Sequence, residues 1–338
     1  MTALEVRNLT VVYGQHGGAR LTAVDDVSFA LEAGQALALV GESGSGKSTV
    51  VRAVSQLVKR SRGEILLDGQ PAARRGSGLR AYRHRVQVVF QDPFASLNPM
   101  HTVRHHLARP LLLATARRRR DALDHAVAEL LRSVNLTPPE EIAAKHPHEL
   151  SGGQRQRVAI ARALATDPDV LLADEPVSML DVSIRLEILG LLDRLKRDRN
   201  LAMLYVTHDL ATARHFSSQI MVMYRGQVVE RGGSDEVILS PSHPYTQLLS
   251  GAAPDPSASR GDLAAARRQR VAARAARDAE QREAQLTEGC RFRARCPHAM
   301  DACRDDPPNA EAGPGQRARC WLHAGHGGER PGTGPGTG

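Results

Sequence analysis

Short apolar runs alternate with stretches of helical spacing between Leu4 and Glu230. The runs have the length and the polar borders of buried strands, and they are Leu4–Leu9, Val27–Leu31, Ala36–Val40, Val86–Phe90, Val170–Ala173, Met203–Val206, Ile220–Met223 and Gln227–Glu230. The helical stretches are Thr49–Val58, Arg120–Val134, Gln154–Ala165 and Ser183–Arg197. This alternation predicts an α/β layered domain with a largely parallel sheet.

The composition changes to Ser, Pro and Ala around Pro241–Pro256, which predicts a boundary there. We therefore expect a main domain over 1–250, an extension over 251–326 and a disordered Gly/Pro/Thr-rich tail over 327–338. Within the extension, Asp262–Gln285 is rich in Ala, Arg and Gln, which favours a solvated helix or linker.

Charge and composition exclude several classes of protein. An apolar content of 41% is too high for a wholly disordered chain, and no run approaches the ~18 apolar residues of a membrane span. The start, Met1–Leu9, has no apolar core of a signal peptide, so we expect a cytosolic location. The net charge of +8 is spread along the chain, so we expect no nucleic-acid partner.

A phosphate-binding loop is predicted at Gly41-Glu-Ser-Gly-Ser-Gly-Lys47-Ser48, which fits G-x-x-x-x-G-K-[ST] between an apolar strand and a helix. Glycines let backbone N–H groups surround a phosphate, Lys47 reaches the β- and γ-oxygens, and Ser48 ligates Mg²⁺. The expected contacts to the nucleotide come from Gly41, Glu42, Ser43, Gly44, Ser45, Gly46, Lys47, Ser48 and Thr49.

Polar residues at the ends of other predicted strands complete a hydrolytic site. Asp174 ends one strand and can hold Mg²⁺ through water, and Glu175 follows it in a position to polarise the attacking water. Gln91 can reach the metal or the water, and His208 can contact the γ-phosphate. We expect Glu175, His208, Lys47 and Gln91 to act in catalysis, and Ser48, Gln91 and Asp174 to hold Mg²⁺.

A second phosphate-binding helix start is predicted at Ser151-Gly152-Gly153-Gln154. One nucleotide does not need two such helix ends from one chain. A second copy of the fold can supply the other end, so the sequence predicts a dimer with ATP at its interface.

In their order along the chain, these motifs resemble those of the ATP-binding subunits of ABC transporters. The resemblance implies an ABC ATPase fold, with a mixed sheet core, an antiparallel β subdomain and an inserted helical subdomain at about 92–155. It also implies that Tyr13 stacks on adenine and that Ser178–Asp181 is the D-loop, with Asp181 acting in trans beside the signature 151–154.

Finer resemblance points to the oligopeptide/dipeptide importers, which also include nickel and opine importers. It is carried by Phe90–Pro99, His146–Leu150 and Ser242–Leu249. It implies ATP hydrolysis coupled to solute import, most of all of peptides, at the cytoplasmic face of the membrane. The implied partners are two permease subunits, a second ATPase subunit that is often a paralogue, and an extracytoplasmic substrate-binding protein. The alternative is a soluble ABC-type ATPase that acts on nucleic acid or ribosomes.

Four cysteines, the only ones in the chain, lie at Cys290-x5-Cys296-x6-Cys303-x16-Cys320. Their clustering in a cytosolic chain favours a metal site over disulfides, and four thiolates suit zinc or an iron–sulfur cluster. The resemblance implies a [4Fe–4S] cluster, with zinc, disulfides or free thiols as alternatives. The arginines of this segment could offset the cluster's negative charge.

Overall fold

The computed structural model describes residues 2–14, 20–114, 120–251 and 288–325. The strands of these ranges are β1 (Thr2–Gly14), β2 (Arg20–Glu32), β3 (Ala36–Val40), β4 (Arg62–Leu67), β5 (Gln70–Pro71), β6 (Val86–Val89), β7 (Val170–Asp174), β8 (Ala202–Thr207), β9 (Gln219–Tyr224), β10 (Gln227–Gly233), β11 (Asn309–Gly313) and β12 (Gln316–Arg319). The helices are α1 (Lys47–Val54), α2 (Gly76–Arg85), α3 (Pro93–Ser96), α4 (Val103–Ala114), α5 (Arg120–Ser133), α6 (Pro139–Ala144), α7 (Gly152–Leu164), α8 (Val182–Asp198), α9 (Leu210–Phe216), α10 (Ser234–Leu239) and α11 (Pro244–Gly251).

The main sheet has the strand order β11-β12-β10-β9-β3-β8-β7-β6. Its centre is parallel, because β3 pairs in parallel with β8 and β9, and β7 with β6 and β8. The central strands β3, β7 and β8 are buried along their whole length, which explains why they are apolar runs without alternation. The carboxyl ends of these parallel strands therefore meet along one edge, where ligands bind in such sheets.

A second sheet, β2-β1-β4-β5, is antiparallel and shares an apolar core with α1 and one face of the main sheet. The chain between β6 and β7 forms helices α3 to α7 and a short 3-10 turn at Pro147–Glu149, which pack on the other face of the sheet. The mixed sheet, the antiparallel sheet and the helical insertion confirm the predicted fold class. No helix in the described ranges has the length and apolar character needed to cross a bilayer.

Most predicted strands and helices form close to their expected bounds. One difference is α1, which ends at Val54 instead of Val58, because Gln56 has a positive φ of 57° that a helix does not accommodate. The predicted helix or linker Asp262–Gln285 and the predicted tail 327–338 lie outside the described residues. The predicted domain boundaries remain predictions.

Residues 288–325, which we call the cysteine module, are joined to the main sheet. The antiparallel β11–β12 hairpin extends this sheet, since Glu230 of β10 pairs with Ala318 of β12. Glu230 is 1% exposed, and its carboxylate accepts hydrogen bonds from the backbone N–H groups of Ser242 (2.7 Å) and His243 (3.0 Å). It also accepts one from the Gln316 side-chain amide at 2.6 Å, so one buried acceptor joins three segments.

Candidate nucleotide site

The phosphate loop, residues 41–48, connects β3 to α1 as the motif predicts. Gly46 has φ +105°, and a Cβ there would lie 2.4 Å from the carbonyl oxygen of Ala23, so only glycine fits. The Ser45 hydroxyl is buried without a hydrogen-bond partner among the described residues. The close approach of Gly46 to Ala23 is a specific packing contact, which is not expected of a chance Gly/Ser turn.

Lys47 is the first residue of α1 and is 4% exposed. Its ammonium donates hydrogen bonds to the carbonyl oxygens of Gly41 (2.7 Å) and Glu42 (2.9 Å). Burial lowers the pKa of Lys47, while the carboxylates of Glu175, Asp174 and Glu42 act in the opposite direction. The ammonium thus stands between the phosphate loop and the carboxylates that end β7.

Ser48 and Asp174 meet at the end of the sheet, where the Ser48 hydroxyl donates to the Asp174 carboxylate at 3.1 Å. Burial raises the pKa of Asp174, and the hydrogen bond from Ser48 opposes that shift. A hydroxyl and a carboxylate oxygen are the hard ligands that Mg²⁺ accepts beside phosphate oxygens. These residues therefore fit the magnesium ion that the motif implies.

Glu175 connects the remaining predicted catalytic residues. Its carboxylate accepts a hydrogen bond from the Gln91 side-chain amide at 3.1 Å, and the His208 Nδ1 lies 3.3 Å away. Glu175 has φ +46°, which costs about 1–3 kcal/mol for a residue of this type, and its N–H bonds the carbonyl of Val206. This conformation turns the carboxylate out of the strand and between Gln91 and His208.

These residues line one open cleft of about 1090 Å³. The predicted residues on its wall are Tyr13, Ser43, Gly44, Gly46, Lys47, Ser48, Thr49, Gln91, Glu175 and His208. Gly41, Glu42 and Ser45 belong to the loop but not to this wall. Asp25, Arg225 and Arg291 also lie on this wall and were not predicted, because none of them belongs to a recognisable motif.

The signature segment does not reach this cleft within one chain. Ser151 caps α7: its hydroxyl accepts from the Gln154 N–H at 3.2 Å, and the Gln154 side chain accepts from the Ser151 N–H at 3.0 Å. Gly152 and Gly153 form the first turn of α7, and Asp181 stands at the start of α8. The structure therefore leaves the signature and Asp181 apart from the phosphate loop of their own chain.

An apolar surface lies beside Asp181. Met179, Val182 and Leu186 are 58%, 70% and 62% exposed. Gly153 of the signature lies against Ile184, which belongs to α8, the helix that also carries Val182 and Leu186. The signature is therefore next to this apolar surface.

The four cysteines line one small cavity, whose other walls include His243, Phe292, Met300 and Trp321. All four are free thiols. Burial raises the pKa of Cys320 to about 11, and the facing thiols of Cys290, Cys296 and Cys303 add to this. The four thiols therefore face one another across one site.

Backbone N–H groups oppose the raised pKa of three of these thiols and so favour their charged forms: those of Phe292 and Arg293 for Cys290, of His298 for Cys296, and of Leu322 for Cys320. Such bonds are typical of ligated thiolates. Among the described residues, however, no group of three or more His, Cys, Asp or Glu side chains is arranged to hold a metal ion. The expected cluster therefore stays a prediction.

The arginines of the cysteine module have other partners than expected. Arg295 forms an ion pair with Glu42 of the phosphate loop, and Arg291 forms one with Asp25. These two arginines therefore compensate carboxylates of the main domain. The prediction that the arginines of this segment offset the charge of a cluster is not tested by these contacts.

Comparison with known proteins agrees with the resemblance to ABC transporter ATP-binding subunits along most of the chain. A family profile described as "ABC transporter" matches residues 24–178, and one described as "Oligopeptide/dipeptide transporter, C-terminal region" matches residues 229–303. A probable peptide ABC transporter ATP-binding protein of Sinorhizobium fredii is 40% identical over 331 residues, covering 95% of this chain and 90% of that protein. The oligopeptide transport ATP-binding protein AppF of Bacillus subtilis is 38% identical, covering 96% and 98%.

Solved structures agree on the fold. CbiO1 from Clostridium perfringens, part of an ABC transporter complex, is 28% identical, with a TM-score of 0.62, covering 71% of this chain and 91% of that one. The ATP-binding cassette MJ0796, solved as a dimer bound to ADP and Pi, is 31% identical, with a TM-score of 0.62, covering 68% and 98%. The chain therefore belongs to the ABC transporter family, as an ATP-binding subunit of the group that carries the oligopeptide/dipeptide transporter C-terminal region.

Proposed function

We propose that this protein hydrolyses ATP to power a peptide importer. The observation that carries the proposal is the convergence of Lys47, the Ser48–Asp174 pair and Glu175 at one edge of the sheet. These groups supply a phosphate-binding cation, ligands for Mg²⁺ and a candidate base, which are the parts that phosphoryl transfer to water needs.

Each residue has a definite task in this mechanism. Lys47 and the N–H groups of the phosphate loop would hold the β- and γ-phosphates, and Ser48 and Asp174 would hold a Mg²⁺ ion, which would supply charge neutralisation to the phosphates. Glu175 polarises the attacking water. Gln91 and His208 orient the Glu175 carboxylate, since both lie within 3.3 Å of it. Tyr13, which lines the cleft, would stack on adenine.

The active unit in this proposal is a dimer. Ser151 to Gln154 and Asp181 would complete the cleft of a second subunit, because they lie apart from the cleft of their own. The exposed Met179, Val182 and Leu186 beside Asp181 support this arrangement, since a partner would bury them. The partner subunit is this chain or a paralogue of it.

Permease subunits and an extracytoplasmic binding protein would complete the importer, which places this chain at the cytoplasmic face of the membrane. The relatives described above are a probable peptide transport protein and an oligopeptide transport protein, which supports peptides as the solute. The helices between β6 and β7 are the proposed contact with the permease, because Gln91 precedes them and also bonds Glu175.

The cofactor proposed for the cysteine module is a [4Fe–4S] cluster held by Cys290, Cys296, Cys303 and Cys320. A single zinc ion needs every sulfur within about 2.3 Å of one point, whereas a cluster presents four separate irons to its ligands. Four thiols around one cavity support the cluster, as do backbone N–H groups that lower the pKa of three of them. When bound, it would cross-link the loops of the module.

Purification from membranes tests the proposed function. The tagged chain should co-purify with integral membrane subunits, and the reconstituted complex should take up labelled peptides only with ATP and the binding protein. Co-purification with ribosomes or nucleic acid, without membrane subunits, would contradict it. A complex that takes up nickel or an opine but no peptide would reject the solute and keep the importer.

A further inference from the structure

The cysteine module contacts the phosphate loop through Arg295. The Arg295 guanidinium places two nitrogens 3.1 and 3.2 Å from the two carboxylate oxygens of Glu42, which is the second residue of the loop. The Arg295 side chain is only 5% exposed, whereas the Glu42 side chain is 40% exposed. A bidentate pair with one partner this deeply buried holds a fixed geometry, unlike an ordinary surface ion pair.

A second contact holds the backbone of the same glutamate. The N–H of Glu42 donates to the Tyr245 hydroxyl at 3.0 Å. Tyr245 is fully buried, and its ring packs on those of Tyr224 (4.6 Å between centroids) and Phe292 (5.5 Å). Phe292 belongs to the cysteine module, so the module supports both contacts to Glu42.

Glu42 is also bonded to the catalytic lysine. Its carbonyl oxygen accepts a hydrogen bond from the Lys47 ammonium at 2.9 Å. A displacement of Glu42 therefore moves an acceptor of Lys47 and the N–H groups that follow in the loop. Small displacements of such preorganised groups weaken phosphate binding.

Arg295 is itself held by the cysteines on either side of it. It ends a 3-10 turn, Arg293–Arg295, which lies directly between Cys290 and Cys296. The N–H of Arg293 bonds the Cys290 carbonyl at 3.1 Å, and the N–H of Cys296 bonds the Arg293 carbonyl at 3.3 Å. Anchoring the two thiols therefore anchors the turn that carries Arg295.

We propose that Arg295 is a positioning residue for the phosphate loop, and that through it the state of the cysteine module sets the affinity for ATP. The Arg293–Arg295 turn, held by backbone bonds to Cys290 and Cys296, keeps Arg295 on Glu42 and the loop ready for phosphate. A change at these cysteines that displaces the turn takes Arg295 away from Glu42, and nucleotide then binds more weakly. This inference rests on the proposed ATPase function.

Arg295→Gln tests the positioning role, with Arg293→Gln as its matched control. Arg293 lies in the same turn and carries the same charge, but its side chain makes no hydrogen bond or ion pair with described residues. The readout is the Kd for a fluorescent ATP analogue, together with kcat and KM. We expect Arg295→Gln to weaken binding about tenfold with kcat little changed, because one charge-assisted pair contributes this much, and Arg295→Lys to restore part of the loss. Equal affinities of the Arg295→Gln and Arg293→Gln proteins would overturn the proposal.

A double-mutant cycle separates positioning from general damage. Glu42→Gln should weaken binding by a similar factor, and the Glu42→Gln/Arg295→Gln protein should be no worse than either single variant. Fully additive losses would mean that the two side chains do not act through each other, and would overturn the proposal.

Cys296→Ser tests the connection to the cysteine module. It should weaken nucleotide binding in the wild-type background and change nothing further in the Arg295→Gln background. A loss of the same size in both backgrounds, or no loss in either, would overturn the connection. If the wild-type protein binds ATP but does not hydrolyse it, the proposed function is contradicted. If the Arg295→Gln protein keeps wild-type affinity, only this inference is contradicted.

Discussion

The Ser48 hydroxyl donates a hydrogen bond to the Asp174 carboxylate at 3.1 Å, although 126 positions separate the two residues along the chain. The phosphate loop places one partner and the end of β7 places the other. The two motifs are distant in the sequence, so the contact between Ser48 and Asp174 supports the proposal that they form one magnesium site.

Asp174→Asn should raise the Mg²⁺ concentration needed for half-maximal ATPase activity by at least about tenfold, because an amide oxygen is a weaker ligand than a carboxylate. A Mg²⁺ titration of initial rates measures this. Asp169→Asn is the control, because Asp169 precedes the same strand but pairs with Arg85 at the surface. An unchanged Mg²⁺ requirement in the Asp174→Asn protein would exclude Asp174 as a ligand.

Removal of the buried Glu230 carboxylate should destabilise the protein. Glu230→Ala leaves the donors of Ser242, His243 and Gln316 without their acceptor, which should lower the free energy of unfolding by about 3 kcal/mol. Urea denaturation measures the loss. Glu311→Ala, on the exposed edge of β11, should change stability by less than about 0.5 kcal/mol. Equal stability of the two variants would contradict the role given to Glu230.

The shared nucleotide site can be tested by mixing two inactive variants. Lys47→Ala removes the phosphate-binding cation, and Gly152→Asp brings a negative charge to the signature. A Cβ at Gly152 would meet only Leu180 at 3.7 Å, so the second variant should fold. In a mixed dimer, one cleft combines an intact loop with an intact signature.

We therefore expect each variant alone to be inactive and an equal mixture to regain about a quarter of the wild-type ATPase rate, since half of the dimers are mixed and each has one intact site. Steady-state hydrolysis of the mixture measures this. An inactive mixture, beside an active wild-type chain, would contradict the arrangement in trans.

The cysteine module should carry iron when the protein is purified without oxygen. We expect a broad visible absorption that bleaches on reduction, and about four irons per chain, as a [4Fe–4S] cluster requires. Cys303→Ser should lose the iron, whereas Met300→Leu, which alters the same cavity without removing a thiol, should keep it. A colourless wild-type protein with one zinc would contradict the cluster.

Local patterns predicted the catalytic edge of the sheet well, and the physical reason is proximity in sequence. Ala36–Val40 forms a strand with the predicted bounds, and a helix follows the loop as predicted, although it begins at Lys47 and not at Thr49, because strand, loop and helix are encoded together. Gln91, Asp174 and His208 were recognisable because each ends or follows an apolar strand.

Contacts between distant segments were not predictable in this way. The arginine content of the cysteine module was noted, but nothing local indicates that Arg295 reaches Glu42, 253 positions away. The pairing of β12 with β10 was also not predictable from the sequence, because Gln316–Arg319 has almost no apolar pattern. The strand is positioned instead by the hydrogen bond from Gln316 to Glu230.

The central claim is that Glu175 activates water for ATP hydrolysis, and the Glu175→Gln protein tests it most directly. Glutamine keeps the shape of the side chain but cannot act as a base. Nucleotide affinity and single-turnover hydrolysis should be measured together, with Glu187→Gln as a control, because Glu187 is exposed on α8 and pairs only with Arg157 among the described residues. We expect the Glu175→Gln protein to keep wild-type ATP affinity while hydrolysis falls by about 10²–10⁴-fold. Hydrolysis at the wild-type rate would show that Glu175 is not the base.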